Sequence, residues 1–373
     1  MNILHYTGMA TAQKFGGVEK WFVEFSRQAR IAGHMTFISY LEKYPENCLL
    51  RKAYQESGLH PLITLNGNRN LLLKQIEEND IKIVFFHFVE PYNGPLFIKK
   101  HTKCKVYCFF HCHNYYSGLN WLSDFREMSL ASFYRWSVFK SQFYIDGFFP
   151  VSKAVKKQFE HFCFLNPYKC HQIYLGIDKK EYTQPGSLSH SVPVIGCVAC
   201  HGSYKGLDIL LESAEILKSR NCKFEIWQIG GGMSFNNGKD TEELHRMCKE
   251  KGLEDCFKWL GVRNDAEFLM KQMDIYVQPS RREAISLTIA EAMMSGLPVV
   301  ASNVDGIPEY MSHGENGFLY DHNDPVLLAN ALQLLIENKD LRDKMGKKSY
   351  ELINDIKFDR TNNIKTLIKR TIK

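Results

Sequence analysis

The chain has 373 residues, 45% of them apolar and 24% charged, with a formal net charge of +6. That length supports two domains with sizeable cores, and the modest charge permits an anionic substrate or membrane surface without demanding nucleic acid, for which no reading signature is present. The N-terminus lacks the charged and apolar regions of a signal peptide, no uncharged apolar run reaches membrane-spanning length, and the eleven cysteines read as reduced, mostly buried thiols. The expected setting is therefore cytoplasmic, or peripheral at the inner face of the membrane.

Residues 3–7 give the first predicted strand. Gly16 and Gly17 then open a helix over 18–32, where Val18, Trp21, Phe22, Phe25, Ala29 and Ala32 follow the helical period and Gly33 ends it. Paired glycines at a helix start let a phosphate approach the backbone, and they also make a plain turn; both readings stand. A strand over 35–40, a helix over 71–79 and strands over 83–88 and 105–110 follow. The last runs into His111, Cys112, His113 and Asn114, a spacing that fits no standard zinc finger. A histidine at a strand end is either a site residue or a core histidine bonded to backbone. Aromatic residues crowd positions 114–149, many at helical spacing, with Lys99, Lys100, Lys103 and Lys105 before them and Lys153, Lys156 and Lys157 after. A packed core and a solvated face explain this, and so does a basic, aromatic surface that visits an anionic bilayer. The polar stretch 179–192, with Pro185 and Gly186, reads as a linker.

The second half alternates strand and helix: strand 194–199, Lys205 and Gly206, helix 207–218, strand 224–229 ending in Gly230, Gly231 and Gly232, helix 242–251, and strand 257–260 before Gly261, Val262 and Arg263. Strand 273–277 is closed by Pro279 and Ser280, helix 286–294 is stopped by Gly296, and strand 298–301 follows. This order predicts a doubly wound α/β architecture. Backbone N–H groups of Ala284, Ile285, Ser286 and Leu287 at the last helix start favour an anion, phosphate above all. Glu283 just before it and Glu291 inside it cannot serve phosphates, and suit hydroxyls on either side of one. A nucleotide sugar has that layout.

Glu283 and Glu291 in E-x7-E spacing, followed by Gly296-Leu297-Pro298-Val299-Val300-Ala301, Gly306-Ile307-Pro308-Glu309 and Gly314-Glu315-Asn316-Gly317-Phe318-Leu319, resemble the retaining GT-B glycosyltransferases of family 4, glycosyl transferases group 1. The resemblance implies two Rossmann-like domains facing across a cleft, 1–180 for the acceptor and 192–352 for the nucleotide sugar, with a helix in 353–373 crossing back. It assigns catalytic positions to His113 (with His111 as runner-up), Lys205 and Glu283. It assigns donor binding to Gly16, Gly17, Gly206, Val262, Arg263, Ala284, Ile285, Ser286, Leu287 and Glu291, with Glu283 on sugar hydroxyls, Glu291 on the ribose and Lys205 on the diphosphate. The implied reaction moves a hexosyl unit from a nucleotide sugar, UDP- first and GDP- next, to a glycan or lipid-linked glycan in surface polysaccharide synthesis. The other readings are a non-catalytic nucleotide-sugar binder and a sugar-nucleotide epimerase. No cofactor is implied, and without an Asp-x-Asp motif no metal ion is expected on the diphosphate. Three positions depart from the family pattern. No arginine precedes Lys205 in Cys200-His201-Gly202-Ser203-Tyr204, where a protonated His201 could supply part of the charge and Arg281 or Arg282 could compensate from the opposite loop. Ala284 stands where glycine is usual, which requires a negative φ. Leu175 replaces the asparagine of N-G-I/V-D at 175–178.

Overall fold

The computed structural model describes residues 1–9, 16–41, 44–62, 68–111, 125–182, 190–232 and 238–372, and for 125–130 the backbone only. They form two compact units, Met1–Gly176 with Arg360–Lys373, and Ile177–Asp359.

In the first unit the elements are β1 (Asn2–Thr7), α1 (Gly17–Ile31), β2 (Met35–Tyr40), α2 (Cys48–Ser57), β3 (Leu59–Leu62), α3 (Arg69–Glu78), β4 (Ile81–His87), α4 (Gly94–His101), β5 (Lys105–Phe110), α5 (Phe125–Ser141), β6 (Gly147–Pro150) and α6 (Lys153–Phe162). The six strands are parallel in the order β3-β2-β1-β4-β5-β6. Parallel strands are covered on both faces, so the central ones are rich in apolar residues; Ile3, Leu4, Val84, Phe85 and Phe86 are fully or almost fully buried. α1 turns Trp21, Phe22, Phe25 and Ala29 inward on the period read from sequence. Three elements escape that kind of reading. α2 buries only Leu50, Tyr54 and Ser57. β3 contains Pro61 and lies at the sheet edge, where a missing N–H is tolerated. α4 opens with Gly94 and Pro95, which look like a turn, although proline suits a first helical turn.

The second unit contains β7 (Val194–Val198), α7 (Leu207–Ser219), β8 (Glu225–Ile229), α8 (Lys239–Glu250), β9 (Phe257–Trp259), α9 (Ala266–Met270), β10 (Ile275–Gln278), α10 (Leu287–Met294), β11 (Val299–Ser302), β12 (Gly317–Tyr320), α11 (Pro325–Glu337) and α12 (Lys339–Ile353). Its six parallel strands run β12-β11-β10-β7-β8-β9. Ile195, Cys197, Leu210, Leu211, Ala214, Ile226 and Leu332 centre its core, each large aliphatic chain contributing roughly 1.5–3 kcal/mol by leaving water. After α12 the chain returns to the first unit as α13 (Arg360–Thr371). There Asn363 Nδ2 donates to Tyr174 O at 3.2 Å and Thr361 Oγ1 to Glu24 Oε1 at 2.8 Å.

Both sheets have the doubly wound order, so chain direction across the sheet reverses between β1 and β4 in one unit and between β7 and β10 in the other. Ligands bind at the strand carboxyl ends beside such a reversal. A glycine holds each junction tight. A Cβ on Gly8 would lie 2.3 Å from Phe88 O, and one on Gly206 would lie 2.0 Å from Pro279 O. Among the described residues every cysteine is a free thiol, and no helix is long and apolar enough to cross a membrane.

Candidate functional site

The reversal in the second unit brings together the two loops that the sequence singles out. The loop after β7 ends in a 3-10 turn, Ser203–Lys205, and Gly206 at φ +67 starts α7 without a side-chain cap. The loop after β10 lies against it: Arg281 N donates to Tyr204 O at 2.8 Å. This places Lys205 Nζ 2.5 Å from Glu283 Oε2, with only 18% and 12% of the two side chains exposed. Burial alone would lower the Lys205 pKa, but the Glu283 carboxylate and its hydrogen bond outweigh that and raise it, so the lysine is a fixed cation.

Glu283 is held from several sides. Ser280 Oγ donates to its carboxylate at 3.4 Å, its N–H donates to Asp305 Oδ2 at 3.1 Å, and its carbonyl accepts from Gly306 N at 3.0 Å. Behind Ser280, Gln278 Nε2 donates to Ser280 Oγ at 2.8 Å, and Tyr276 OH donates to Gln278 Oε1 at 3.0 Å. Ser286 caps α10, accepting from Ile289 N at 3.3 Å, and Ala284 and Ile285 just before it are buried. Ala284 is not among the residues with positive φ, so alanine sits there without strain. Glu291 is half-buried one turn inside α10 from Leu287.

The three side chains that could compensate for the missing arginine all have partners within the unit. His201 is buried, and both ring nitrogens are engaged. Gln228 Nε2 donates to Ala199 O at 2.7 Å, so Gln228 Oε1 faces His201 Nε2 at 3.0 Å and that nitrogen carries the proton. Nδ1 then accepts from Thr241 Oγ1 at 2.8 Å. Burial lowers its pKa, so His201 is a neutral structural link and not a cation. Arg281 donates twice to Asp208 at 2.8 and 2.6 Å, to Ser203 O at 2.7 Å and to Asn323 Oδ1 at 2.7 Å. It braces the two loops. Arg282 donates to Asp305 Oδ2 at 3.0 Å. Asp208, Asp305, Gln228 and Thr241 were invisible as site residues because each acts on a partner at least 22 positions away.

Further along the same carboxyl edge, His201 N donates to Gly231 O at 2.9 Å and Gly230 N to Gly261 O at 2.8 Å. A Cβ on Gly231 would touch Val262 Cγ2 at 3.0 Å. Val262 is exposed beside these glycines, and Arg263 is turned onto Asp265 at 2.8 and 2.7 Å. The backbone of 230–232 and 261–263 thus forms a ledge continuing from the Lys205 loop. A cavity of about 270 Å³ adjoins it, lined by His201, Gly202, Asp208, Asp240 and Glu243. Its carboxylates make it a poor phosphate site, in contrast to the Lys205 side of the loop. Among the described residues no three His, Cys, Asp or Glu side chains are grouped to hold a metal ion.

In the first unit Gly16 caps α1 and Gly17 begins it. The Gly16 N–H donates to Glu19 Oε2 at 3.0 Å, so a carboxylate of the chain itself sits at that helix start. His113 lies outside the described residues. His111, half-buried, ends a chain of imidazoles whose other two members are fully buried: His5 Nδ1 is 3.1 Å from His87 Nε2, and His87 Nδ1 is 2.9 Å from His111 Nε2. Burial pushes His5 and His111 down to about 3 and lowers His87 as well, so all three are neutral. The hint in the sequence is a histidine in each of two largely apolar strands, His5 in β1 and His87 in β4.

Residues 178–352 match the family model described as glycosyl transferases group 1. An uncharacterized glycosyltransferase of Haemophilus influenzae is 33% identical over 154 residues, 41% of this chain and 42% of that protein. A D-inositol 3-phosphate glycosyltransferase of Corynebacterium jeikeium is 34% identical over 156 residues, 41% of this chain and 37% of that protein. The matched stretch thus spans about two fifths of the length of these relatives. Among solved structures, Anabaena Alr3699/HepE in complex with UDP-glucose superposes with a TM-score of 0.80 at 18% identity, over 99% of each chain. The fold is GT-B, with two Rossmann-like domains.

Proposed function

We propose that this protein is a retaining, metal-independent glycosyltransferase of family 4. In this reading it moves a hexosyl unit from a nucleotide sugar, UDP- before GDP-, to a glycan or lipid-linked glycan in surface polysaccharide assembly. One observation carries the reading: the Lys205–Glu283 pair sits at the β7/β10 reversal, at the starts of two helices. Breakdown of the donor puts negative charge on the departing diphosphate, which fixed cations and N–H donors stabilise. Lys205 supplies the cation, and the starts of α7 and α10, through Gly206 and through Ala284, Ile285, Ser286 and Leu287, supply the donors. Glu283 accepts from sugar hydroxyls and Glu291 from the ribose. The base lies on the ledge at Val262 and Arg263. For Gly16, Gly17 and His113 the roles rest on the resemblance alone.

With no donor bound, Lys205 and Glu283 neutralise each other, and donor binding gives each a new partner. A thermal-shift screen against UDP-, GDP- and ADP-sugars tests this with wild type and Glu291→Ala. A ligand at about 100 times its dissociation constant adds roughly 2.7 kcal/mol. The expected result is that one nucleotide class stabilises wild type and not the variant, and that product analysis shows the donor's anomeric configuration kept. No response to any nucleotide sugar would overturn the reading. A second reading, a non-catalytic nucleotide-sugar binder, draws support from His201 being neutral and from Arg281 and Arg282 being paired with Asp208 and Asp305. It predicts binding with no nucleotide release under any acceptor.

A further inference from the structure

The outward face of α5 runs against the usual pattern. A helix packed on its sheet buries one stripe and shows charged residues to water. α5 buries Ala131, Tyr134, Val138 and Ser141 as expected, yet Phe133 and Trp136 on the other side, and Phe143 and Tyr144 in the turn that ends it, are 49–68% exposed. The stripe is continuous: Phe139 stacks on Trp136 at 5.3 Å and meets Phe143 edge-on at 5.6 Å. It extends to α4, where Tyr92, just before that helix, meets Phe133 at 6.1 Å. Cations are set into it: Lys140 Nζ lies 5.0 Å from the Trp136 ring and Lys100 Nζ 5.2 Å from the Tyr144 ring. Such contacts hold an ammonium at the level of the rings.

The charge of the whole chain hides a sharp asymmetry. The first unit holds 26 Lys and Arg against 13 Asp and Glu, a net of +13, and the second holds 21 against 28, a net of −7. The aromatic stripe therefore lies on a strongly basic body.

We propose that the α5 face, through Phe133, Trp136, Phe143 and Tyr144 with Lys100 and Lys140, docks on the surface of an anionic phospholipid bilayer. Aromatic rings settle at the boundary between headgroups and acyl chains, while lysines reach the headgroup phosphates. The long-range field of the basic unit draws the protein to a negative leaflet. A second copy of the chain is a poor occupant. Two such bodies repel, and lysine is depleted in the core of protein interfaces. The proposal deepens the peripheral membrane placement expected from the sequence and stands on residues remote in sequence from Lys205 and Glu283.

The test uses the full chain, without nucleotide sugar, in co-sedimentation with vesicles of phosphatidylcholine alone or of phosphatidylcholine and phosphatidylglycerol two to one. Binding is expected on the anionic vesicles, little on the neutral ones, and is lost at high salt. Trp136→Ser with Phe143→Ser should lower partition about tenfold or more. Lys100→Gln with Lys140→Gln should lower it roughly 25-fold, about fivefold for each cation removed. All four side chains are solvent-facing, so melting temperatures should stay near wild type. Equal binding to both vesicles, or anionic binding untouched by the aromatic pair, would overturn the proposal. So would light scattering that shows a dimer abolished by Trp136→Ser with Phe143→Ser. Because the assay contains no donor, its failure leaves the transferase reading intact, and a failed donor screen leaves this one intact.

Discussion

Replacing Arg281 with alanine removes four hydrogen bonds at once, to Asp208 twice, to Ser203 O and to Asn323 Oδ1. The two charged side chains are 31% and 34% exposed, so screening by solvent leaves about 1 kcal/mol for the bidentate pair. The other two bonds add ~0.5 kcal/mol each, net of the water they replace. The loss of ~2 kcal/mol should lower the melting temperature of a unit this size by about 4–8 °C. Asp208→Ala removes only the bidentate part, ~1 kcal/mol, and the double variant should show a coupling energy of about that size. Both single variants loosen the loop that carries Glu283, so both should weaken stabilisation by nucleotide sugar to a similar extent. Scanning calorimetry with and without donor reads both effects. If Arg281 instead contacted the diphosphate, Arg281→Ala would abolish the donor response with little change in the apo melting temperature. Asp208→Ala, by freeing the guanidinium, would preserve the response. That pair of results would refute the brace.

Two further outcomes follow from the burial of charged and titratable groups. Lys205→Met strands a nearly buried carboxylate and should cost ~2–3 kcal/mol in urea unfolding, whereas Lys205→Met with Glu283→Gln should regain at least half; a double variant less stable than the single would contradict the pairing. The neutral chain His5–His87–His111 makes stability fall with acid. The folded-state pKa values lie below the unfolded value of about 6.5. The unfolded chain therefore binds more protons, and the contribution is complete above that pH and is lost as pH drops toward 3. Each imidazole adds a slope of about 1.4 kcal/mol per pH unit. His5→Phe should remove one such share, and a flat profile between pH ~7 and ~5 would contradict the neutral chain.

Local chemistry decided a good deal of this protein. Strand 273–277, the turn at Pro279 and Ser280, the cap at Ser286, the stop at Gly296 and the next strand depend on residues within a turn or two of each other. The sequence alone placed β10, α10 and β11 within a residue or two. The alternation of such units determined the doubly wound class, and Gly206 next to Lys205 marked a phosphate-suited helix start. Short or atypical elements such as α2 and β3 escaped because their few inward residues, Leu50, Tyr54 and Leu59, are too sparse to show a period. What only the tertiary structure decided is partnership. Lys205 reaches Glu283 across 78 positions and Arg281 reaches Asp208 across 73, because β7 and β10 become neighbours only once the strand order reverses. The same closeness made His201 a neutral link and Arg281 a brace, where charge counting along the chain offers both as free cations. It also turned aromatic residues at helical spacing outward on α5. Periodicity reports which residues share a face, and only the packed sheet decides which face is covered.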